Sequence, residues 1–184
     1  MFKLDVNCNE KDKSCILNVY EIADNKIKKL LECNGKIGIN GIGKNKEGDL
    51  KTPIGKYKIQ EIAYGIKEKP QNCNFDKYIQ IKKGMVWRCD STKTDYNTFK
   101  LKDELPKNWT IKYDEDLFKY NGEYNYFLDI GYNLERKKYK GSAIFLHCWK
   151  NKFKPTHGCI AISEANMKKT LQIIDPKNSY IFIH

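Results

Sequence analysis

Two histidines and two cysteines lie within 13 residues of this 184-residue chain: His147, Cys148, His157 and Cys159. Side chains of these types either ligate a metal ion or supply the nucleophile and the base of a covalent catalyst. Structural zinc sites usually space their ligands as C-x2–4-C and H-x3–5-H, and neither spacing occurs here. We therefore expect no metal site.

A cysteine nucleophile with a histidine base agrees better with the pattern. His147 ends the apolar segment 143–146, which is typical of a strand, and Cys159 begins a second apolar segment that we interpret as a returning strand over 159–162. Adjacent strands bring an imidazole within hydrogen-bond reach of a thiol. The imidazole then takes the proton of the thiol, which on its own is mostly protonated at neutral pH.

Gly158 adds a feature that acyl transfer needs. Since glycine has no side chain, the backbone N–H groups of Gly158 and Cys159 are free to point into one site and stabilise the oxyanion of a tetrahedral intermediate. The residues alone leave an alternative open, in which Cys159 is an ordinary buried cysteine and His147 a core histidine with satisfied hydrogen bonds.

Two separate motifs resemble those of one known family. The run from His147 to Thr156-His157-Gly158-Cys159 resembles the His…[Ser/Thr]-His-Gly-Cys signature of L,D-transpeptidase (YkuD-type) catalytic domains. An earlier part of the chain is similar to the family's G-x-N-G…EGD-x-KTP-x-G-x-Y motif, in the same order along the chain. This earlier motif comprises segments 38–41, 47–49 and 51–57. Tyr96-Asn97 and segment 141–147 also resemble a branch of the family, and the resemblance extends from about residue 16 to the end.

This resemblance implies a β-rich, cofactor-free cysteine acyltransferase of the bacterial cell wall. Carried over by position, Cys159 is the nucleophile and His147 is the general base. Gly158 and Cys159 form the oxyanion site, and His157 belongs to the same catalytic motif. The implied substrate is a peptidoglycan stem peptide. Cys159 forms a thioester with its third residue, commonly diaminopimelate, and an amine of a second stem resolves that thioester as a 3→3 cross-link.

Two alternatives to cross-linking stay open. Water in place of the amine makes an L,D-carboxypeptidase with the same Cys–His chemistry. A non-catalytic module that keeps the fold and binds an anionic cell-wall polymer through its positive charge is the second alternative.

Four residues are candidates for substrate contacts: Thr156, Trp149, Tyr96 and Asn97. Trp149 stands two residues after His147, where an indole can pack against a sugar or a peptide. Ala161 occupies a position at which many family members have Arg or Asn, so another cation is needed for a substrate carboxylate. The lysines of the connecting loop are available for this, namely Lys150, Lys152 and Lys154.

The charge pattern indicates which partners to expect. The chain has 34 basic and 23 acidic residues, and its net charge of +11 is spread evenly, with +4 over 1–60, +3 over 61–140 and +4 over 141–184. Only Arg88 and Arg136 can make bidentate contacts to bases, because the other 32 basic residues are lysines. We therefore expect no nucleic-acid partner, while the charge favours acidic polymers of the cell wall.

The chain predicts neither a membrane span nor a signal peptide. No apolar stretch approaches the roughly 20 residues that cross a bilayer, and residues 1–9 lack an apolar core. Because the implied substrate lies outside the cytoplasmic membrane, we expect action in the cell envelope after loss of an export segment, or in the cytoplasm if Met1 is the native start. We expect one domain over 1–184 and a monomer.

Local patterns predict many short strands and one helix. The Asp24-Asn25 turn between segments 15–23 and 27–33 predicts a hairpin that opens the fold. Ser163 precedes a segment with one apolar face, which predicts a helix over about 163–174. Further strands are predicted at 56–62, 78–82, 123–132, 141–147 and 180–183, with loops at 35–55 and 90–106. The fold class is therefore α+β and β-rich, and the resemblance implies a YkuD-like β-sandwich of short mixed strands with long loops.

Overall fold

Thirteen strands and one α-helix follow one another in the computed structural model, which describes all 184 residues. The strands are β1 (Phe2–Asn9), β2 (Ser14–Ala23), β3 (Lys26–Lys36), β4 (Gly55–Lys58), β5 (Ile62–Gly65), β6 (Lys77–Gln80), β7 (Met85–Trp87), β8 (Phe99–Leu101), β9 (Glu115–Asp116), β10 (Phe127–Asp129), β11 (Phe145–Cys148), β12 (Ile160–Ile162) and β13 (Ser179–Ile183). The helix is α1 (Glu164–Ile173).

Ten of the strands form one mixed sheet in the order β4-β13-β1-β2-β3-β12-β11-β10-β5-β6. The other three form a separate sheet in the order β8-β7-β9. We call residues 85–124, which contain this second sheet, the lobe. Many strands and a single helix confirm the predicted α+β, β-rich class.

The hairpin of β2 and β3 confirms the turn prediction. Asp24 and Asn25 have φ angles of 50° and 59°, the two positive values that a type I′ turn requires. Such a turn matches the right-handed twist of the flanking strands, which is why a two-residue connection can join the two longest strands of the sheet.

The prediction that this hairpin opens the fold is wrong, because β1 precedes it. Leu4 and Val6 are fully buried, while Lys3 and Asp5 form an ion pair of 2.8 Å on the other face. β1 pairs antiparallel with β2 and parallel with β13. Buried and more exposed residues do alternate along β1, but the segment is short and rich in polar residues, so its sequence did not predict a strand.

Several predicted strands are shorter than expected. Segment 56–62 is divided into β4 and β5, and segment 123–132 contributes only β10, since Glu123–Asn125 is a 3₁₀ turn. Segment 90–106, which was predicted to be a loop, contains β8. Strands of three or four residues carry too little alternation to be recognised locally, and they depend on their partners in the sheet.

The helix agrees with the sequence prediction. The Ser163 hydroxyl caps α1 by accepting the N–H of Asn166 at 3.2 Å. Met167 and Leu171 are fully buried and belong to an apolar cluster of 24 residues together with side chains of β1, β2 and β13. None of the helices is long and apolar enough to cross a membrane.

A second apolar cluster, of nine residues, joins the lobe to the ten-stranded sheet. Its members are largely aromatic: the Trp87 ring lies 4.8 Å from the Phe145 ring, and the Tyr124 ring lies 4.8 Å from the Phe127 ring. Cys159 belongs to this cluster. The candidate nucleophile therefore lies where the lobe meets the sheet.

Candidate active site

β11 and β12 are neighbours in the sheet, but they run parallel, so the expectation of a returning strand is wrong. Leu146 pairs with Ile160, and His147 pairs with Ala161. The loop of residues 149–159 therefore passes back along β11 before β12 begins. This path places Cys159 beside the start of β11 and not beside its end.

Backbone groups hold the Cys159 side chain. Its Sγ accepts the N–H of Phe145 at 3.3 Å and donates to the carbonyl of Ala143 at 3.2 Å. The residue is 9% exposed. Burial raises the pKa of the thiol to about 12, and the Phe145 N–H offsets this only in part. At neutral pH Cys159 is therefore a neutral thiol.

The His147 imidazole is held as a neutral base. Its Nδ1 lies 2.6 Å from the carbonyl oxygen of Cys148, and a carbonyl can only accept, so in the neutral ring Nδ1 carries the proton and Nε2 is unprotonated. The Tyr124 ring contacts the imidazole edge-on, with 5.5 Å between centroids and an interplanar angle of 87°. Burial lowers the pKa of His147, which favours the neutral ring. Glu123 also lies near the ring and, with the Cys148 carbonyl, opposes the fall of the His147 pKa.

Two threonines, one from each motif, fix the backbone of Cys159. The hydroxyls of Thr52 and Thr156 both donate to the carbonyl oxygen of Cys159, at 3.3 and 2.6 Å. Each hydroxyl also accepts a backbone N–H, from Gly38 for Thr52 (2.9 Å) and from Gly158 for Thr156 (3.1 Å). The two motifs, which are about 100 residues apart in sequence, therefore meet at one carbonyl group.

Gly158 is required for close approach. Its φ is +137°, and a Cβ at this position would lie 2.9 Å from the carbonyl oxygen of Lys51 and 3.2 Å from Cδ1 of Ile144. Its N–H is occupied by the Thr156 hydroxyl. The N–H of Cys159 has no hydrogen-bond partner.

Tyr96 and Asn97 lie behind the cavity and hold the segment 141–143. The Tyr96 hydroxyl donates to Glu47 at 2.5 Å and accepts the first N–H of this segment at 2.9 Å. The Asn97 Oδ1 accepts the last N–H of the segment at 3.1 Å and the Trp87 indole N–H at 2.9 Å. The carbonyl of Ala143 accepts the thiol proton of Cys159, so the bonds that Tyr96 and Asn97 make to this segment fix the position of that acceptor.

The EGD segment of the first motif forms a tight anion-centred turn. Burial opposes ionisation of Asp49, but the Lys44 ammonium, 2.7 Å away, and the N–H groups of Asn45, Lys46 and Lys51 together lower its pKa to about 2. The Lys44 and Asp49 side chains are only 2% and 7% exposed. This pair therefore holds a fixed edge of the cavity.

The cavity has a volume of about 580 Å³ and brings most of the predicted residues together. It is lined by Cys159, His147, Trp149, Thr156 and His157, of which His157 is exposed. Of the three loop lysines, two line the cavity and one does not; those that do are Lys150 and Lys154. Tyr96, Asn97 and Gly158 do not line it.

The opposite wall, from the lobe, was not predicted from the sequence as part of the site. Glu115 lines the cavity and accepts a hydrogen bond from the Tyr124 hydroxyl, whose ring contacts His147. Burial raises the pKa of Glu115 to about 7, although the Tyr124 hydroxyl opposes the shift. Glu115 lies in no motif, and it is identified by its place in the cavity wall and by its hydrogen bond from Tyr124.

Comparison with known proteins gives one family and a small set of similar folds. The family model described as YkuD, L,D-transpeptidase catalytic domain, matches residues 16–183. No curated protein sequence matches the chain.

Two solved structures illustrate the similarity of fold. The helical cell shape determining protein Pgp2 from Campylobacter jejuni is similar over 100% of this chain and 47% of that one, with 22% identity and a TM-score of 0.51. Bd1075 from Bdellovibrio bacteriovorus is similar over 98% and 47%, with 18% identity and a TM-score of 0.49. The chain thus spans about half the length of these proteins.

Proposed function

Because the chain belongs to the YkuD family of L,D-transpeptidase catalytic domains, we propose that it is a cysteine-dependent L,D-transpeptidase of peptidoglycan stem peptides. One observation carries the proposal: the Cys159 thiol and the His147 imidazole line the same cavity, and the only ring proton of that imidazole is held by a carbonyl. A module that only binds the cell wall needs neither a thiol nor a free base.

In the first half-reaction, Sγ of Cys159 attacks the carbonyl carbon of the third residue of a stem tetrapeptide while Nε2 of His147 takes the thiol proton. Burial raises the pKa of the thiol and lowers that of the imidazole, so the ion pair is not the resting state and the proton moves as the C–S bond forms. The bond to the terminal D-amino acid then breaks, and its nitrogen leaves with the proton from His147. A thioester remains on Cys159.

The N–H of Cys159 stabilises the oxyanion in this scheme. This N–H has no partner within the protein, whereas the N–H of Gly158 donates to Thr156. The contribution of Gly158 is to let the loop approach Lys51 without a side chain in between.

The second half-reaction transfers the acyl group to an acceptor. An amine of a second stem attacks the thioester carbon, His147 takes the proton of that amine, and the Cys159 thiolate leaves and is reprotonated. Attack by water completes the same cycle as an L,D-carboxypeptidase. The acceptor that reaches the cavity decides between the two outcomes.

Substrate contacts are assigned to the loop side of the cavity. Trp149 and Thr156 line it, and Lys150 and Lys154 supply cations for the carboxylates of a stem peptide. The net charge of +11 supports additional attraction to anionic wall polymers. Since the substrate lies outside the cytoplasmic membrane, we place the site of action in the cell envelope.

Incubation of the purified protein with disaccharide-tetrapeptide muropeptides, followed by mass spectrometry of the products, tests the proposal. We expect dimers with the unchanged protein and none with Cys159→Ala or His147→Gln. Cys148→Ala is the matched control, because this neighbouring thiol bonds the Tyr126 carbonyl on the other side of the sheet and does not line the cavity.

Each other outcome has a definite meaning. Release of the terminal D-amino acid without dimers identifies a carboxypeptidase. The absence of any Cys159-dependent product contradicts the enzyme, and retention of the protein on isolated cell walls would then favour the binding module.

A further inference from the structure

Three of the seven cysteines lie together on β1, β2 and β3, away from the proposed chemistry. They are Cys8, Cys15 and Cys33, and none of them lines the catalytic cavity. Cys8 is partly exposed, whereas Cys15 and Cys33 are buried. All three belong to or pack against the larger apolar cluster, so their side chains share one face of the sheet.

Cys8 and Cys15 are directly opposite each other in the antiparallel pair of β1 and β2. Met1 and Ile22 exchange both of their backbone hydrogen bonds, at 2.8 and 3.1 Å, and the register from Phe2 to Asn9 is unbroken. Because bonded and non-bonded pairs alternate, Cys8 and Cys15 form a non-hydrogen-bonded pair. The N–H of Cys8 agrees, since it donates away from β2, to the carbonyl of His184 at 2.8 Å.

Such a pair has the spacing of a disulfide. The Cα atoms of non-hydrogen-bonded partners are about 4.5 Å apart, and disulfides join Cα atoms that are roughly 4.4–6.8 Å apart. Cys33 is less well placed, because it pairs with Leu17 while Cys15 pairs with Gly35, which puts the two cysteines on a diagonal of about 7–8 Å.

Gly35 leaves room for the reduced form of Cys15. A Cβ at Gly35 would lie only 2.6 Å from the Cys15 Sγ, so the thiol occupies space that any other residue would fill. In this position the sulfur leans towards β3, and a rotation about χ1 of Cys15 turns it towards Cys8. The pair therefore has a reduced rotamer with its own space and a partner in reach.

We propose that Cys8 and Cys15 form a reversible cross-strand disulfide by exchange with a low-molecular-weight disulfide, RSSR. The thiolate of the partly exposed Cys8 attacks one sulfur of RSSR and releases RS⁻, and the Cys15 thiolate then attacks the Cys8 sulfur and releases the second RS⁻. The two thiol protons go to the released thiolates, so one protein disulfide and two RSH are formed. Burial raises the pKa of both thiols, which makes this exchange slow compared with that of a free cysteine.

The bond would act on a segment that supports the catalytic loop. The turn between β1 and β2 accepts the N–H of Ile37 at the Lys13 carbonyl (3.1 Å), and the Ile37 carbonyl accepts the N–H of Thr156 at 2.9 Å. A Cys8–Cys15 disulfide closes the loop that contains Lys13 and thereby restrains this support.

Treatment of the purified protein with oxidised glutathione, followed by alkylation in denaturant and tryptic mapping without reductant, tests the proposal. We expect alkylatable thiols to fall from seven to five, and the peptides Leu4–Lys11 and Ser14–Lys26 to be recovered as one linked species. Trypsin separates the two cysteines at Lys11 and Lys13, so this species is diagnostic. Dithiothreitol should restore all seven thiols.

Three variants sharpen the result. Cys8→Ser has six thiols and should keep all of them under the same treatment, because Cys15 then has no partner. Cys33→Ala and Cys159→Ala should both retain the linked peptides. A Cys15–Cys33 link, a glutathione adduct on Cys8 that is never resolved, or no loss of thiols each overturns the proposal.

Discussion

The two walls of the catalytic cavity are held in place by different kinds of interaction. The nucleophile wall, residues 142–161, is fixed by backbone groups and by the hydroxyls of Thr52 and Thr156. The lobe wall, residues 112–124, is fixed by a buried ion pair between Arg88 and Asp114 and by the packing of the Tyr124 ring against Phe127. The first wall carries Cys159 and His147, the proposed reacting groups, and the second contributes Glu115 and Tyr124 to the same cavity.

Because the two walls are held by different interactions, we expect substitutions in one wall to change mainly the rate and substitutions in the other to change mainly the stability. Short bonds to backbone atoms fix the position of a nucleophile closely, so a small displacement in the nucleophile wall should reduce the rate. Side-chain charges and rings fix the lobe wall, so a loss there should reduce the free energy of unfolding or change its pH dependence. The Tyr124 ring joins the two walls, because it contacts both His147 and Phe145. Substitutions in either wall can therefore test the separation.

Among substitutions outside the Cys159–His147 pair, Gly158→Ala should have the largest effect on activity. The added Cβ would lie 2.9 Å from the Lys51 carbonyl in a residue with φ of +137°, so the loop has to move. We expect kcat/KM to fall by about 100-fold or more, as measured with muropeptides.

Gly43→Ala separates backbone strain from displacement of the nucleophile. Gly43 also has a positive φ, +85°, but its Cβ would meet only the Ile54 side chain at 3.9 Å. We expect about 1–2 kcal/mol of destabilisation and little change in rate. Equal rate losses in both variants would contradict the assignment of Gly158 to the nucleophile wall.

Asp114→Asn should have the largest effect on stability. The carboxylate accepts hydrogen bonds from Arg88, from the Trp109 indole (2.6 Å) and from the N–H groups of Cys89 (2.8 Å) and Asp90 (3.2 Å), and the Arg88 side chain is only 4% exposed. Arg88 also pairs with Asp95 at 2.9 Å, so loss of the Asp114 charge leaves the buried guanidinium with one of its two carboxylates, and we expect a cost of about 3 kcal/mol. Urea unfolding measures this loss.

The neighbouring Asp116→Asn is the control for that substitution. Its carboxylate accepts a single N–H, from Phe118 at 3.1 Å, and it makes no ion pair. We expect a change of about 1 kcal/mol or less. If both variants lose the same stability, the ion pair is not what fixes the lobe wall.

Glu115→Gln should change the pH dependence of stability. Burial raises the pKa of Glu115 from 4.5 to about 7, so between these values the native state holds a proton that the unfolded chain has released. Stability therefore falls as the pH rises through this window. The variant cannot ionise, and we expect it to gain up to about 3 kcal/mol over the unchanged protein at pH 8 and almost nothing at pH 4. Thermal unfolding at the two pH values measures the difference, and an equal gain at both would contradict it.

The same contrast explains what could be predicted from the sequence. The Asp24-Asn25 turn and the Ser163 cap act on their own neighbours, so local patterns revealed the hairpin and the helix. The motif spacing predicted that His147 and Cys159 share a site, and both line one cavity, although the strand-like segments wrongly indicated a returning strand.

The lobe wall could not be predicted, because its parts come from distant segments. Arg88 meets Asp114 across 26 residues, and Tyr124 meets Glu115 from a 3₁₀ turn that the sequence indicated as strand. Tyr96 resembled a family residue, yet no local pattern indicates that it bonds Glu47, 49 residues away. Contacts of this kind depend on the tertiary fold and leave no period in the sequence.

Thr52→Val should have the smallest effect and makes the finest distinction between the walls. It removes a hydroxyl that accepts the N–H of Gly38 and donates to the Cys159 carbonyl, and we expect about 1–2 kcal/mol of destabilisation. Because that carbonyl belongs to the nucleophile, kcat should fall by about tenfold as well. Thr98→Val removes a comparable hydroxyl bond in the lobe, to the Asp95 carbonyl at 2.6 Å, and should cost similar stability with kcat unchanged. Thr52→Ser should recover both quantities, and a kcat loss shared by Thr98→Val would mean that the two walls do not act separately.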